Sequence, residues 1–438
     1  MTPREAAARA LLQVNARGGY SNLVLHGALE PLENERDRAF CTALFYGVLE
    51  RQITLDYILY PYLRRPPSQL DPLVRVLLHS GLYQIVYLSV PSSAAVFETV
   101  SLAKSMGRSR QAGFLNGVLR SFLRDGAVVR WPPEGTDAYD SAYYSCPNWL
   151  VRLWKRAYGD VAARRMMAAS LERPPLFVRA NLCRTSIPAL CAELIAAGVQ
   201  ATPVAELPGC LRVEGPVERL SGLREGLYHM EDAAAQLAVR LLGARSGETV
   251  IDVCAAPGGK SFSIAEQMGD DGTVYAFDNQ AHRIGLVEEG ARRLGLSSVR
   301  AEVQDAAQPR AELLGRADRV LCDLPCSGLG VIRRKPEIKH KPQESLAGLP
   351  KLQSELLRQS ARYVRPGGTL LYTTCTLHPS ENEQVADRFL SGQEGFVPFP
   401  FEEAELPAEF AGLRPAPHQM TLLPGPTDGF FLARFRRA

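Results

Sequence analysis

The chain has no large charge excess. Its 438 residues carry 50 Lys and Arg against 47 Asp and Glu, a formal charge of +3, so any nucleic-acid surface has to be local. Cysteine is sparse, with nine residues at 41, 146, 183, 191, 210, 254, 322, 326 and 375. An odd number spread over a long chain excludes the dense disulfide framework of a small secreted domain and points to reduced thiols. Long apolar runs are missing too. The most apolar window, Val74 to Val90, is broken by Arg75, His79, Ser80, Gly81 and Gln84, short of a membrane span. The first ten residues carry Arg4 and Arg9 in an alanine-rich helical pattern, unlike a signal peptide. No solenoid repeat or low-complexity tract appears. What the chain does have is core-forming material, 46% hydrophobic against 22% charged residues. At about 150 residues per domain this predicts roughly three domains in a soluble, cytoplasmic protein.

The pattern divides accordingly. Residues 1–128 read as all-α, with Pro3 opening a first helix and later helices near Asn34 to Leu49, Arg51 to Tyr60, Asp71 to Tyr87, Ser92 to Ser105 and Ser109 to Leu123. Gly126 to Asp140 has the turn chemistry of a linker. Residues 141–228 read as a small α/β module: helices Asn148 to Tyr158, Asp160 to Leu171 and Ser186 to Ala197, and short strands at Leu176 to Asn181, Gln200 to Val204 and Cys210 to Val213. From 229 to 438, strand-like runs at Thr249, Thr273, Ser298, Arg319 and Thr369 alternate with helical ones, the pattern of a parallel sheet covered on both faces. His418 to Leu423 and Gly429 to Phe435 then follow with no helix between them. An antiparallel hairpin closing a parallel sheet predicts the Rossmann-like, seven-strand methyltransferase pattern rather than a dinucleotide dehydrogenase.

The chemistry concentrates at the ends of these strands. Asp252-Val253-Cys254-Ala255-Ala256-Pro257-Gly258-Gly259-Lys260 follows the first strand and opens a helix, so backbone N–H groups can approach a ligand there. Taken alone such a turn is weak evidence, because many are merely structural. Asp278, Asp305 and Asp323 end the next three strands; one such Asp is usually a helix cap, but a series at successive carboxyl edges outlines a nucleoside site. NAD and S-adenosylmethionine both fit that outline. Asp323-Leu324-Pro325-Cys326-Ser327-Gly328 and Thr373-Thr374-Cys375-Thr376 separate the two, because strands four and five are neighbours in methyltransferase topology and both thiols then face one cleft. Cytosine carbon 5 takes a methyl group only after a thiolate adds to carbon 6, and a second group near the adduct can assist release. The position after proline, used by DNA cytosine methyltransferases, would make Cys326 the nucleophile. Buried packing is the bland alternative for each cysteine. A zinc site from Cys254, Cys322, Cys326 and Cys375 lacks a paired CxxC or His knuckle and needs Cys322 to turn toward Cys326, while a Cys326–Cys375 disulfide is disfavoured in a reducing compartment.

In these strings the chain resembles the Nol/Nop/Sun family of RNA cytosine-5 methyltransferases, nearly end to end. The Asp252 to Lys260 string, Pro325-Cys326-Ser327-Gly328 followed by Gly330, Arg333, Arg334 and Pro336, and the Thr374-Cys375 pair fall in the family's order. Arg38-Ala39-Phe40, Tyr46-Gly47-Val48 and Asn116-Gly117-Val118-Leu119-Arg120 resemble a NusB-like RNA-binding domain, which marks the members acting on 16S ribosomal RNA. The resemblance implies Cys375 as nucleophile and Cys326 as the group assisting release. It implies S-adenosylmethionine held by Cys254, Ala255, Ala256, Pro257, Gly258, Gly259, Lys260, Asp278, Arg283, Asp305 and Asp323, with Lys260 and Asp323 near the target base and no metal. The partner it implies is 16S ribosomal RNA, free or in a partly assembled small subunit, bound by a monomer. Leu324, Thr376 and His340 depart from residues common in the family, and only His340 puts a contact, base stacking, in doubt. Arg333, Arg334, Lys335, Lys339, His340 and Lys341 form a basic run suited to phosphates. Trp149, Trp154, Lys155, Arg156, Arg164 and Arg165 suit RNA or an amphipathic helix equally. The same chemistry on transfer RNA, and a non-catalytic RNA-binding assembly factor, are the rival readings; a binding factor would need neither thiol.

Overall fold

The computed structural model describes residues 1–17, 20–216, 220–410 and 412–438. It divides into two compact units, Met1–Glu172 with Ile332–Pro342, and Arg173–Val331 with Gln343–Ala438.

The first unit is helical. Helices Pro3–Arg17, Glu35–Glu50, Gln52–Leu59, Pro72–Val86, Ser92–Ser105 and Ala112–Arg124 stand where the periodicity puts them. Some of their starts carry side-chain caps: the Asp71 side chain accepts from Leu73 and Val74 N–H, and Asn34 from Arg36 N–H, whereas Gln52–Leu59, Ser92–Ser105 and Ala112–Arg124 begin without one. Their apolar stripes meet in one core around Leu11, Phe45, Leu77 and Leu119. Gly47 is required by that packing, since a Cβ there would fall inside the Tyr83 ring. Two helices exceed the sequence reading. Ser21–Leu29 forms without a side-chain cap, and Asp137–Tyr143 rises out of the proline-rich linker because Thr136 Oγ1 caps Tyr139 N–H at 3.1 Å. The expected break between Tyr158 and Asp160 is a kink, Gly159 at φ 79°, inside the helical span Asn148–Ala169.

The second unit holds two sheets. Strands β1 (Leu176–Ala180), β2 (Gln200–Pro203), β3 (Cys210–Glu214) and β4 (Tyr228–Met230) pair antiparallel in the order β2-β3-β1-β4, with helix Ile187–Ala196 packed through Leu190 and Leu194. The large sheet contains β5 (Thr249–Asp252), β6 (Thr273–Asp278), β7 (Val299–Val303), β8 (Ala317–Asp323), β9 (Val364–Thr374), β10 (Phe396–Pro398), β11 (Leu413–Ala416), β12 (Gln419–Leu422) and β13 (Phe430–Arg437). Its order is β11-β12-β13-β9-β8-β5-β6-β7, with β10 paired to β13. Strands β5 to β9 run parallel, and β13 enters antiparallel between β9 and β12, so the closing hairpin lies where the sequence puts it. The short edge strands β10 and β11 carry no apolar alternation and escape a pattern reading. Because β8 neighbours β5 and β9 while β6 lies across β5, the order reverses beside β5. That switch point is where an open α/β sheet opens a ligand crevice at its carboxyl edge.

Candidate active site

Asp252 ends β5 and the chain turns through Gly258, at φ 113°, into helix Gly259–Gln267. A Cβ at Gly258 would come within 2.3 Å of the Phe262 ring, so only glycine holds this turn. The first N–H groups of the helix have no intrahelical acceptor and face outward from the turn. Asp278, 3% exposed, ends β6; its Oδ2 pairs with Arg283 Nη1 at 2.9 Å, and Arg283 Nη2 donates to Ala256 O at 2.5 Å. Arg283 thus joins the second strand end to the glycine turn. Anion-accepting N–H groups on one side and a hydroxyl-accepting carboxylate on the other fit S-adenosylmethionine, a nucleoside with an amino-acid tail. Asp305 is exposed and caps Ala307 N–H at 2.9 Å, while Cys254 is half-buried against the sheet core, its thiol pushed well up by burial. Asp252 is buried, and its carboxyl is pushed up to about 7 by that burial against the opposing Ser261 hydrogen bond.

Lys260 Nζ meets Asp323 Oδ2 at 2.7 Å, and Thr373 Oγ1 donates to Asp323 Oδ1 at 2.9 Å. Burial opposes the charge on Lys260, but Asp323 outweighs it and holds the ammonium above its ordinary range. Beyond Asp323 the two cysteine loops converge, with Cys326 Sγ and Cys375 Sγ 3.4 Å apart in hydrogen-bond contact. The Cys326 thiol is pushed well up, first by the contact with Cys375, then by burial, and further by the charges of Glu381 and Asp323. Cys322, buried in the sheet core, stands apart from this pair, and no cluster of three metal-ligating side chains occurs among the described residues.

Sequence reasoning missed two groups of residues here. Glu381 and Asn382, just before helix Glu383–Gly392, belong to no motif of the sequence and hold both cysteine loops. A buried cluster beneath the glycine turn was also overlooked: His229 lies 3.7 Å from Glu231 and 3.5 Å from Glu266, Arg179 Nε donates to Glu266 at 3.0 Å, and Ser263 Oγ donates to Glu231 at 2.5 Å. Glu231 reaches the site, since a Cβ at Gly259 would stand 3.2 Å from its Oε1. The residues come from β1, from β4 and the residue after it, and from the helix after the glycines, so no local pattern could announce them. Burial opposes the His229 charge, but Glu231 and Glu266 prevail and raise its pKa from 6.5 to about 9. A raised folded-state pKa contributes stability fully present below 6.5 and lost as pH rises through 9, on the order of 3 kcal/mol. His229→Gln is therefore expected to lower unfolding free energy at pH 6, with the gap to wild type closing above pH 9. Denaturant titrations with a gap independent of pH would refute the pairing.

In the first unit the basic run splits into buried and exposed members. Arg333 and Lys339 are buried; Lys339 Nζ donates to Glu50 O at 2.8 Å and His340 Nε2 lies 3.0 Å from Leu49 O. Burial lowers the Lys339 pKa to about 8 and that of His340 to about 4. Among the six, only Lys335 and Lys341 are exposed, so the run is largely a packing element and not a continuous phosphate stripe. Trp154 is core, and Lys155 and Arg164 pair with Asp140, which leaves Arg156 and Arg165 exposed. No helix among the described residues is long and apolar enough to cross a membrane.

Comparison with known proteins agrees with this anatomy. Residues 239–436 match the family described as 16S rRNA methyltransferase RsmB/F, residues 1–124 the NusB family, and residues 146–219 the ferredoxin-like domain of RsmF/B-like methyltransferases. The chain is 36% identical over 444 residues to the probable ribosomal RNA small subunit methyltransferase B of Bacillus subtilis, covering 99% of this chain and 98% of that one. It is 34% identical to the ribosomal RNA small subunit methyltransferase B of Vibrio cholerae, covering 99% and 97%. Among solved structures, the crystal structure of PH0851 superposes with a TM-score of 0.85 at 25% identity, covering 100% and 99%.

Proposed function

The chain belongs to the 16S rRNA methyltransferase RsmB/F family, and we propose that within it the protein methylates carbon 5 of a cytidine in 16S ribosomal RNA through a Cys375 adduct at carbon 6. The observation that carries this reading is the pair of thiols in contact at 3.4 Å beyond the adjacent ends of β8 and β9, next to Asp323, which ends β8 and pairs with Lys260 of the helix after the glycine turn. S-adenosylmethionine supplies the methyl group. Cys375 Sγ, as thiolate, adds to carbon 6 and pushes electron density onto carbon 5, which can then accept the methyl group. The carbon 5 proton passes to water, its electron pair restores the ring double bond, and the Cys375 sulfur departs as thiolate. Cys326, in contact with that sulfur, donates its S–H to the departing charge and so assists release. The Lys260–Asp323–Thr373 set holds a fixed charge pair beside the loops, suited to orienting a polar base edge.

The helical unit supports an RNA substrate. Arg64, Arg65 and Arg124 stand exposed along a groove of about 850 Å³ that also presents Tyr62 and the exposed Phe114, a combination of phosphate grips and stacking faces. The protein acts in the cytoplasm as a monomer on free or partly assembled small subunits, and a paired target cytidine has to be flipped to reach the thiols. Mapping 5-methylcytosine in total RNA tests the reading. Deleting the gene is expected to erase a mark in 16S ribosomal RNA that wild type restores and Cys375→Ala does not. A mark lost from transfer RNA instead, or no mark lost, would overturn the assignment.

A further inference from the structure

Two thiols on separate loops stay in contact only if something fixes both loops. The segment after β9 does this with two consecutive side chains. Glu381 Oε2 accepts from Ser327 N–H at 2.9 Å and from Gln353 Nε2 at 2.9 Å, and Gln353 Nε2 also donates to Pro325 O at 2.9 Å. The residues before and after Cys326 are therefore both tied to the Glu381–Gln353 pair. Asn382 does the same for the other loop: its Oδ1 accepts from Thr374 Oγ1 at 2.7 Å and its Nδ2 donates to Thr376 O at 2.9 Å, bracketing Cys375. Ser327 Oγ and Thr376 Oγ1, 2.6 Å apart, join the loops directly, and Tyr372 OH donates to Glu381 O at 2.5 Å. Glu381 is 1% exposed and Asn382 fully buried, so the bonds these two side chains make are held away from solvent.

The two halves of the clamp differ in charge. Asn382 is neutral, whereas Glu381 brings a carboxylate to the Cys326 loop, and its second oxygen, Oε1, is buried without a hydrogen-bond partner. No cation pairs with Glu381 among the described residues. The titratable groups facing this pair are Cys326 and Asp323 from the end of β8, Tyr372 and Cys375 from β9, and His378 from the connecting loop. An uncompensated carboxylate at this depth disfavours a second negative charge on the loop it holds.

We propose that Glu381 and Asn382 are the positioning residues of the thiol pair, a two-residue clamp that sets the Cys326–Cys375 contact and makes the two sulfurs unequal. It deepens the reading of Cys375 and Cys326 as the reacting pair and rests on it. Of the one proton shared between the sulfurs before attack, the charge of Glu381 assigns possession to Cys326, which leaves Cys375 the nucleophile. Glu381→Gln keeps the shape and the acceptor oxygen but removes the charge; Asn382→Ala removes both bonds to the Cys375 loop.

Single-turnover methyl transfer to 16S RNA as a function of pH, with the RNA–protein adduct followed on denaturing gels, tests this. Calorimetry with S-adenosylhomocysteine verifies that each variant is folded. Glu381→Gln is expected to lower the maximal rate about tenfold and to move the bell-shaped profile about one pH unit toward acid, because the pair then loses its protons more easily and shares them more evenly. Asn382→Ala is expected to slow adduct formation by about tenfold or more with the bell in place. A Glu381→Gln enzyme with an unmoved bell, whatever its rate, overturns the assignment of inequality to Glu381, and wild-type adduct kinetics in Asn382→Ala overturn the clamp. Failure of the underlying reading shows separately, as the absence of any adduct in wild type and Cys326→Ala alike.

Discussion

Cys375→Ala is expected to form neither adduct nor product, a loss of at least about a thousandfold that leaves only background, because without the carbon 6 adduct carbon 5 lacks the electron density to take a methyl group. Cys326→Ala is expected to behave differently. Its Cys375 can still attack and the methyl group can still transfer, but the departing sulfur has lost the thiol that touches it at 3.4 Å. Release slows and a protein–RNA adduct accumulates. A denaturing gel of each variant incubated with substrate RNA and S-adenosylmethionine separates the two roles. The rival assignment, with Cys326 as nucleophile because it follows a proline, predicts the mirror image. An adduct with Cys375→Ala and none with Cys326→Ala would show that the sulfurs have been assigned backwards. Loss of the adduct in both would point to a pair acting as one unit.

The contrast between the thiols and their clamp explains how much of this molecule could be read from its sequence. Cys326 and Cys375 were legible because each follows an apolar strand, and a parallel sheet brings successive strand ends together by a general rule. The same rule exposed Asp278 and Asp323. Glu381 and Asn382 were not legible, since their partners lie 54 and 28 residues away for Glu381, and nothing in local periodicity tells a clamp from an ordinary helix start. His229, Glu231, Glu266 and Arg179 were hidden for the same reason, gathered from three elements by packing alone. The basic run misled in the opposite direction: six basic residues within nine positions suit an exposed phosphate grip, yet Lys339 and the neighbouring Ile338 are both buried. Here local composition lost to tertiary packing. That burial also bears on truncation, because removing helix Glu35–Glu50 would strip Lys339 and His340 of their backbone partners, Glu50 O and Leu49 O.

Asp278→Ala is expected to weaken binding of S-adenosylhomocysteine by about 1.5–3 kcal/mol, roughly 10- to 150-fold, the scale of a hydrogen bond to a charged acceptor. The bland role for this residue is a cap, and it does accept from Gln280 N–H at 3.1 Å. Loss of a cap costs about 1 kcal/mol of stability and leaves the glycine turn untouched. The functional role predicts more, because the carboxylate sits at the end of β6 beside the switch point and is linked through Arg283 to Ala256 in the turn. Arg283→Ala separates the two contributions. It removes the link yet keeps the acceptor, so its effect on affinity is expected to be smaller than that of Asp278→Ala, the more so as the Arg283 side chain is 39% exposed. Calorimetry decides the order. Undiminished affinity in Asp278→Ala, with only a lowered melting temperature, would reduce Asp278 to a cap. Equal losses in both variants would move the weight from the carboxylate to the geometry that Arg283 imposes on the turn.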